Sequence, residues 1–261
     1  MNNFFVSGAS GLLSINFFLK NFNNCKFTGA LHQRIIDIKL KNLSLKKINL
    51  FNRTELTNVL KEIKPDFFLH NAAITDLEFC EKNKEICNKV NYELTKNIVE
   101  VCKDLDLKLI FISSDQLYSG INSFYKEEDE TSPINSYGIS KVKSENYIIK
   151  HYPNSIIIRT NFFGWGTSYR QSFSDRILND KNTKIHVLSD VYFNPVYVST
   201  LINLMSELLI LNFQGIINIS SDETLSKYSL AKKILAKFEV DRSIQPIYLK
   251  NLPNFLKRPK N

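Results

Sequence analysis

Apolar positions fall along the chain in short blocks of two kinds, and the two kinds alternate. Continuous runs read as buried strands: Asn3-Phe4-Phe5-Val6-Ser7, Phe27-Thr28-Gly29-Ala30-Leu31, Asp66-Phe67-Phe68-Leu69-His70, Leu107 to Ile112 and Ser155 to Thr160. Between them lie stretches with helical spacing, at Leu12–Leu19, Thr54–Ile63, stopped by Pro65, and a long pattern from Lys84 to Lys103 that contains Val90-Asn91. Lys47-Ile48-Asn49-Leu50 reads as one further short strand. Strands alternating with helices predict an α/β fold, a Rossmann-type doubly wound parallel sheet with helices on both faces.

After Thr160 the pattern is less regular. Helices are expected near Ser172–Leu178, Val198–Leu211 and Lys227–Phe238, and strands near Lys184–Leu188 and Gly215–Ile219. No hydrophilic linker intervenes. The expected division is therefore 1–160 as a dinucleotide-binding domain and 161–261 as mainly a small C-terminal substrate-binding lobe, with some segments returning to the first domain.

Right-handed crossovers gather the C-terminal ends of the strands on one edge, where doubly wound folds bind ligands. The residues at those ends carry the chemistry. Gly8-Ala9-Ser10-Gly11 follows the first strand and opens the first helix, an arrangement that lets backbone amides approach a pyrophosphate. Arg34, just past the second strand, suits the 2′-phosphate of NADP(H) and tilts the reading that way, with NAD(H) the alternative. Asn71-Ala72-Ala73 leaves room beside a ligand, and Ser113-Ser114-Asp115 ends the next strand.

Tyr137 and Lys141 stand four residues apart, on one face of a helix. A nearby ammonium favours the phenolate, so the pair is a candidate proton donor for reducing a carbonyl. Read alone, the same pattern is a surface tyrosine beside a solvated lysine.

Composition narrows the classes. A chain of 261 residues with 43% hydrophobic content buries a real core. No apolar run approaches the ~20 residues that cross a bilayer, and the N-terminus lacks signal-peptide features, so the cytosol is the expected compartment. The net charge of +8 is spread along the chain. Only Lys257-Arg258-Pro259-Lys260 clusters, so neither a nucleic-acid polymer nor a membrane is an expected partner. Cys25, Cys80, Cys87 and Cys102 have no metal spacing and are expected as buried free thiols; no metal site is expected.

Taken in order, these motifs resemble the extended short-chain dehydrogenases/reductases, and within them the dTDP-4-dehydrorhamnose reductase group of sugar-nucleotide reductases. The resemblance rests on Ser7 to Ser14, His70 to Ala73, Ser113 to Tyr118, Tyr137 to Lys141 and Arg159 to Gly164. It implies hydride transfer from a nicotinamide to a ketone. Tyr137 would then protonate the oxygen, Ser114 would hydrogen-bond it, and Lys141 would hold the nicotinamide ribose and depress the Tyr137 pKa. Gly8, Ser10, Gly11 and Leu12 would carry the pyrophosphate, with Asn71, Ala72, Ala73 and Ser113 bordering the cofactor. Asp115, Asn161 and Trp165 are substrate-side candidates; for Asp115 a turn-capping role, and for Trp165 packing between lobes, are equal alternatives. Ser14 replaces the family's third glycine, which implies slightly looser helix–strand packing.

The resulting expectation is an NAD(P)H-dependent reductase of a nucleotide-linked 4-keto-6-deoxysugar in surface polysaccharide synthesis. A nucleotide-sugar epimerase or dehydratase and a non-catalytic dinucleotide-binding regulatory subunit are the alternatives. A homodimer is possible by family analogy alone.

Overall fold

The computed structural model describes residues 1–21, 23–34, 36–122, 124–179, 185–252 and 258–259. Lys184 and, from the basic tail, Lys257 and Lys260 lie outside the described residues. In chain order the elements are β1 (Asn2–Ser7), α1 (Leu12–Asn21), β2 (Cys25–Leu31), β3 (Leu43–Lys47), α2 (Arg53–Ile63), β4 (Phe67–His70), α3 (Leu77–Lys82) and α4 (Lys84–Asn88). A π-helical turn (Lys89–Glu93) leads into α5 (Leu94–Asp104), followed by β5 (Lys108–Ile112), a 3-10 turn (Asp115–Leu117), α6 (Ser136–His151), β6 (Ile156–Thr160) and β7 (Phe162–Phe163). The remainder comprises α7 (Phe173–Asn179), β8 (Ile185–Leu188), β9 (Tyr192–Phe193), β10 (Val196–Tyr197), α8 (Val198–Ile210), β11 (Gly215–Ile219), β12 (Leu225–Ser226), α9 (Lys227–Lys237) and β13 (Ile244–Ile247).

Seven strands form one sheet in the order β3-β2-β1-β4-β5-β6-β11, and every pairing in it is parallel. The order reverses between β1 and β4, which opens a crevice at their C-terminal ends. Central strands are apolar on both faces because helices cover both. Phe4 and Phe5 show why adjacent residues are equally buried. Phe4 stacks on Phe67 at 5.1 Å and meets Phe17 of α1 edge-on at 5.1 Å. Phe5 points to the other face, against Phe68 at 4.9 Å.

The C-terminal third contributes to both parts. β11 is the seventh strand, and Val198, Leu201, Ile202 and Met205 of α8 share a core with Phe4, Val6 and Leu13. A separate cluster joins Ile177, Val187, Phe193, Leu230, Ala231 and Ile234 in the smaller lobe.

Two elements differ from the sequence pattern. The strand expected at Lys47–Leu50 is instead Leu43–Lys47. Among the described residues it is the sheet edge and pairs with β2 alone, so its burial is shallow and its apolar signal weak. The single helix expected from Lys84 to Lys103 is broken by the π-helical turn. Asn91, buried in that turn, donates to the Ile74 carbonyl at 3.0 Å and to Ser140 Oγ at 3.0 Å, and accepts from the Ile74 amide at 2.8 Å. The extra residue per turn aims this amide at the segment that leaves β4.

Candidate active site

The glycine turn is shaped by backbone contact. Gly8 has φ of +68°, and a Cβ there would stand 2.9 Å from Ala72 Cα. Gly11 donates its amide to the Gly8 carbonyl at 2.9 Å and closes the turn. Ser10, Gly11 and Leu12 stay half-buried at the sheet edge, where the first amides of α1 lack intrahelical acceptors. Such an edge suits a pyrophosphate, and a side chain at position 8 would push the end of β4 away from it.

Ser7 Oγ ties this turn to the end of β4. It accepts from the amides of Asn71 at 3.1 Å and Ala72 at 3.2 Å and bonds His70 Nδ1 at 2.8 Å. His70 Nε2 meets Thr95 Oγ1 at 2.9 Å. Burial, and secondarily the charge of Lys141, pushes the imidazole pKa down to about 3, so His70 is a neutral structural strut.

Asn71 is occupied as well: its side-chain amide donates to Ser14 Oγ at 3.0 Å. Ser14 is fully buried in the position of the absent third glycine. Its hydroxyl is taken up by this bond.

Ser114 and Tyr137 meet. Ser114 caps the 3-10 turn, its Oγ accepting from the Gln116 amide at 3.2 Å, and its hydroxyl lies near enough to the Tyr137 hydroxyl to lower that phenol's pKa against burial. The meeting depends on Gly138. A Cβ at that position would collide with the Gln116 carbonyl oxygen and lie 2.9 Å from Pro133 Cβ. Asn135 caps α6 by accepting from the Gly138 amide at 2.8 Å, which fixes where the helix begins.

Lys141 lies one turn further on, also buried. Its ammonium donates to the Ile112 carbonyl at 2.6 Å and sits 4.1 Å above the Phe111 ring. Burial pushes its pKa down to about 7. The expected depression of the Tyr137 pKa by Lys141 is not what this arrangement produces. Burial raises the phenol pKa above its ordinary value, the Ser114 hydroxyl opposes this, and Asp115 adds to it. The Lys141 charge is spent on a carbonyl, and Tyr137 stays a protonated phenol between Cys80 and Cys87.

Asp115 Oδ2 accepts from Asn161 Nδ2 at 2.7 Å, and Oδ1 accepts from Ser114 Oγ at 3.2 Å. Both Asp115 and Asn161 line a cavity of about 440 Å³ between the lobes, with Gln116, Tyr125, Arg159, Tyr192 and Asn218. A larger groove of about 640 Å³, lined by Asn2, Pro65 and Lys108, lies at the opposite edge, away from these groups.

Trp165 does not face the interlobe cavity. Its ring packs edge-on against Phe238 at 5.2 Å, and its carbonyl accepts from Asn16 Nδ2 at 3.0 Å. Arg159 forms a wall of the cavity but is already paired. It donates to both carboxylate oxygens of Glu145 (2.8 to 3.2 Å) and to Tyr118 OH at 2.7 Å.

The remaining sequence candidates fall at the same edge. Ala72 and Ala73 are half-buried beside the turn. Ser113 Oγ is buried and has no hydrogen-bond partner among the described residues, an orphan that a bound group could satisfy. Arg34 is exposed beyond β2, its guanidinium 6.0 Å from the Tyr169 ring centroid.

Sequence reasoning gave no role to Lys227. This first residue of α9 points its ammonium at the Phe193 ring, 4.0 Å away, near enough to Asp115 for that carboxylate to support its charge against burial. A helix-opening lysine carries no signal of its own along the chain.

The chain is similar in sequence and fold to several known proteins. The low-salt glycan biosynthesis reductase of Haloferax volcanii is 29% identical over 160 residues, 60% of this chain and 52% of that protein. A dTDP-4-dehydrorhamnose reductase of Sinorhizobium fredii is 26% identical over 78% of this chain and 71% of its own length. Methionine adenosyltransferase 2 subunit beta of Bos taurus is 23% identical over 93% of this chain and 74% of its own. The chain thus spans about half the length of the Haloferax protein and under three quarters of the other two.

Among solved structures, a hypothetical dTDP-4-dehydrorhamnose reductase from Sulfolobus tokodaii superposes with a TM-score of 0.85 at 28% identity, covering 100% of this chain and 90% of that one. The Bacillus anthracis dTDP-4-dehydrorhamnose reductase in complex with NADP superposes at 0.84 with 22% identity, over 100% of this chain and 89% of that one, and shares the fold. The RmlD substrate binding domain family matches residues 6–261, and the chain belongs to that family.

Proposed function

We propose that the protein is an NAD(P)H-dependent reductase of a nucleotide-linked 4-keto-6-deoxysugar, similar to dTDP-4-dehydrorhamnose reductase. The observation that carries this reading is the approach of the Tyr137 and Ser114 hydroxyls, allowed by the Gly138–Gln116 contact, at the sheet edge that also holds the glycine turn. Oxidoreductase chemistry is consistent with the reductase relatives, and NADPH is the favoured cofactor because Arg34 is exposed just past β2, a strand end that faces the adenosine ribose in such folds. A role in surface polysaccharide synthesis is the pathway reading that fits a glycan-building relative.

A bound nicotinamide supplies the hydride. The chain's own residues do the rest. The half-buried edge at Gly8, Gly11 and Leu12 holds the diphosphate. Ser114 and Tyr137 present two hydroxyls to one ketone oxygen, and charge developing there is met in a buried setting. Tyr137 gives up its proton as the oxygen becomes an alkoxide. A phenol whose pKa is raised is fully protonated at neutral pH, the form a donor requires. Lys141, buried one turn along the same helix, would support the phenolate left behind once its ammonium turns from the Ile112 carbonyl to a ribose hydroxyl.

Consumption of NADPH with a panel of nucleotide 4-ketosugars tests the reading. Net oxidation with one of them is expected. Tight binding of cofactor without its consumption, by any sugar, would contradict it.

The relative that is a methionine adenosyltransferase subunit favours a second reading, a dinucleotide-binding regulatory subunit. The complete Ser114, Tyr137 and Lys141 set ranks it lower. An epimerase or dehydratase would recycle its cofactor and oxidise no added NADPH.

A further inference from the structure

Two arginines from distant parts of the chain lie within range of each other's charge. Arg34 follows β2. Arg170 belongs to the loop between β7 and α7, on the substrate side. The Arg34 guanidinium lies 6.0 Å from the centroid of Tyr169, the residue before Arg170. Arg170 is an exposed residue whose charge is disfavoured by the partial burial of its guanidinium and then by the charge of Arg34. Among the described residues neither arginine has a carboxylate in an ion pair. Like charges brought near each other disfavour one another, and an anion bound between them would relieve this.

The loop that holds Arg170 is built, not loose. Thr167 and Arg170 exchange backbone hydrogen bonds at 3.0 and 3.1 Å. The amides of Gly166 and Ser172 both donate to Asp175 Oδ2 at 2.7 Å. A Cβ at Gly166 would collide with the Arg170 carbonyl oxygen. The hydroxyls of Thr167 and Tyr169 face one another, and neither makes a well-formed hydrogen bond among the described residues. The Trp165 carbonyl pins the loop to Asn16 of α1, the helix whose N-terminus opens at the glycine turn. Ala9, inside that turn, donates to the Ala30 carbonyl at 3.3 Å near the end of β2. The pair therefore sits on the side of the turn where a dinucleotide's adenosine ribose lies.

We propose that Arg34 and Arg170 together clamp the adenosine 2′-phosphate of NADPH, so that the substrate-side loop supplies half of the cofactor specificity. This rests on the dinucleotide reading above. A phosphate monoester near its dianion matches two guanidinium forks, and Tyr169 stacks beneath the Arg34 fork. The cofactor then bridges the two lobes, and a 2′-phosphate orders the loop that borders the substrate side.

Equilibrium titration separates the possibilities without turnover. NADPH, NADH, 2′,5′-ADP and 5′-AMP are titrated into the full chain and into Arg170→Gln and Arg34→Gln. Each variant is expected to weaken NADPH and 2′,5′-ADP by about 10-fold or more, as loss of a charge-assisted phosphate contact does, and to leave NADH and 5′-AMP within about twofold. Equal losses for NADPH and NADH in Arg170→Gln would place Arg170 on the pyrophosphate and overturn the clamp. Unchanged NADPH affinity in Arg170→Gln would also overturn it. Phosphate-selective losses in a protein that reduces no ketosugar would uphold the clamp and sink the reductase reading alone.

Discussion

Gly138 approaches the Gln116 carbonyl so closely that no Cβ fits between them. This contact, more than the four-residue spacing of Tyr137 and Lys141, lets α6 dock against the 3-10 turn after Ser114. Gly138→Ala is expected to push the helix start away from the turn and part the two hydroxyls. A misplacement near 1 Å costs on the order of 100-fold in turnover. Steady-state kinetics with NADPH and the accepted ketosugar measure it; a variant with unchanged kcat would show that the contact does not set the geometry.

Tyr137→Phe removes the proton donor and little else, because the ring is held by Cys80, Cys87, Ile74 and Leu77. Turnover should fall ~10²–10⁴-fold, the usual share of general acid catalysis, while NADPH affinity stays close to that of the parent. Fluorescence titration beside the kinetic assay separates the two.

Glu145→Gln leaves the Arg159 guanidinium buried with its counter-charge gone and one acceptor oxygen replaced by an amide donor. The pair's side chains are only 5% and 2% exposed, so the lost charge is not replaced by water. The expected cost is about 3–5 kcal/mol, read as a lower denaturation midpoint. A shift below about 1 kcal/mol would mean that Tyr118 and the Glu127 carbonyl suffice.

His70 makes stability depend on acid. Its pKa is pushed from 6.5 down to about 3 in the fold, so below pH 6.5 the unfolded chain takes up a proton that the native chain refuses. Stability is therefore lost as pH falls from about 6.5 towards 3, at up to about 1.4 kcal/mol per pH unit from this group. Urea midpoints at pH 7 and 5 measure the slope. His70→Gln should flatten it; an unchanged slope in the variant would assign the effect to other groups.

The sheet was legible because its strands are covered on both faces, and runs such as Phe67-Phe68-Leu69 have no polar side to hide. The edge strand β3 was misplaced because, among the described residues, only one side of it meets another strand. Ser114, Tyr137 and Lys141 could be read from motif order, since each motif ends a strand or opens a helix. What their neighbours do to them could not. The Lys141 ammonium turns to the Ile112 carbonyl, and Asn161 gives its amide to Asp115, choices made by tertiary packing. Trp165 lies beside Asn161 and Phe162 in sequence, yet its ring turns to Phe238, 73 positions away, for which the chain holds no local sign. The pairing of Arg34 with the loop of Tyr169 is equally non-local.

The central claim is that a serine hydroxyl and a protonated phenol act on one ketone oxygen beside a bound dinucleotide. Its most direct test is NADPH consumption by the parent protein and by Tyr137→Phe, across nucleotide 4-ketosugars, with product identified by mass. The account predicts a product two hydrogens heavier than one of the ketosugars, formed by the parent and nearly abolished in the variant. Reduction at equal rates by both proteins would contradict it.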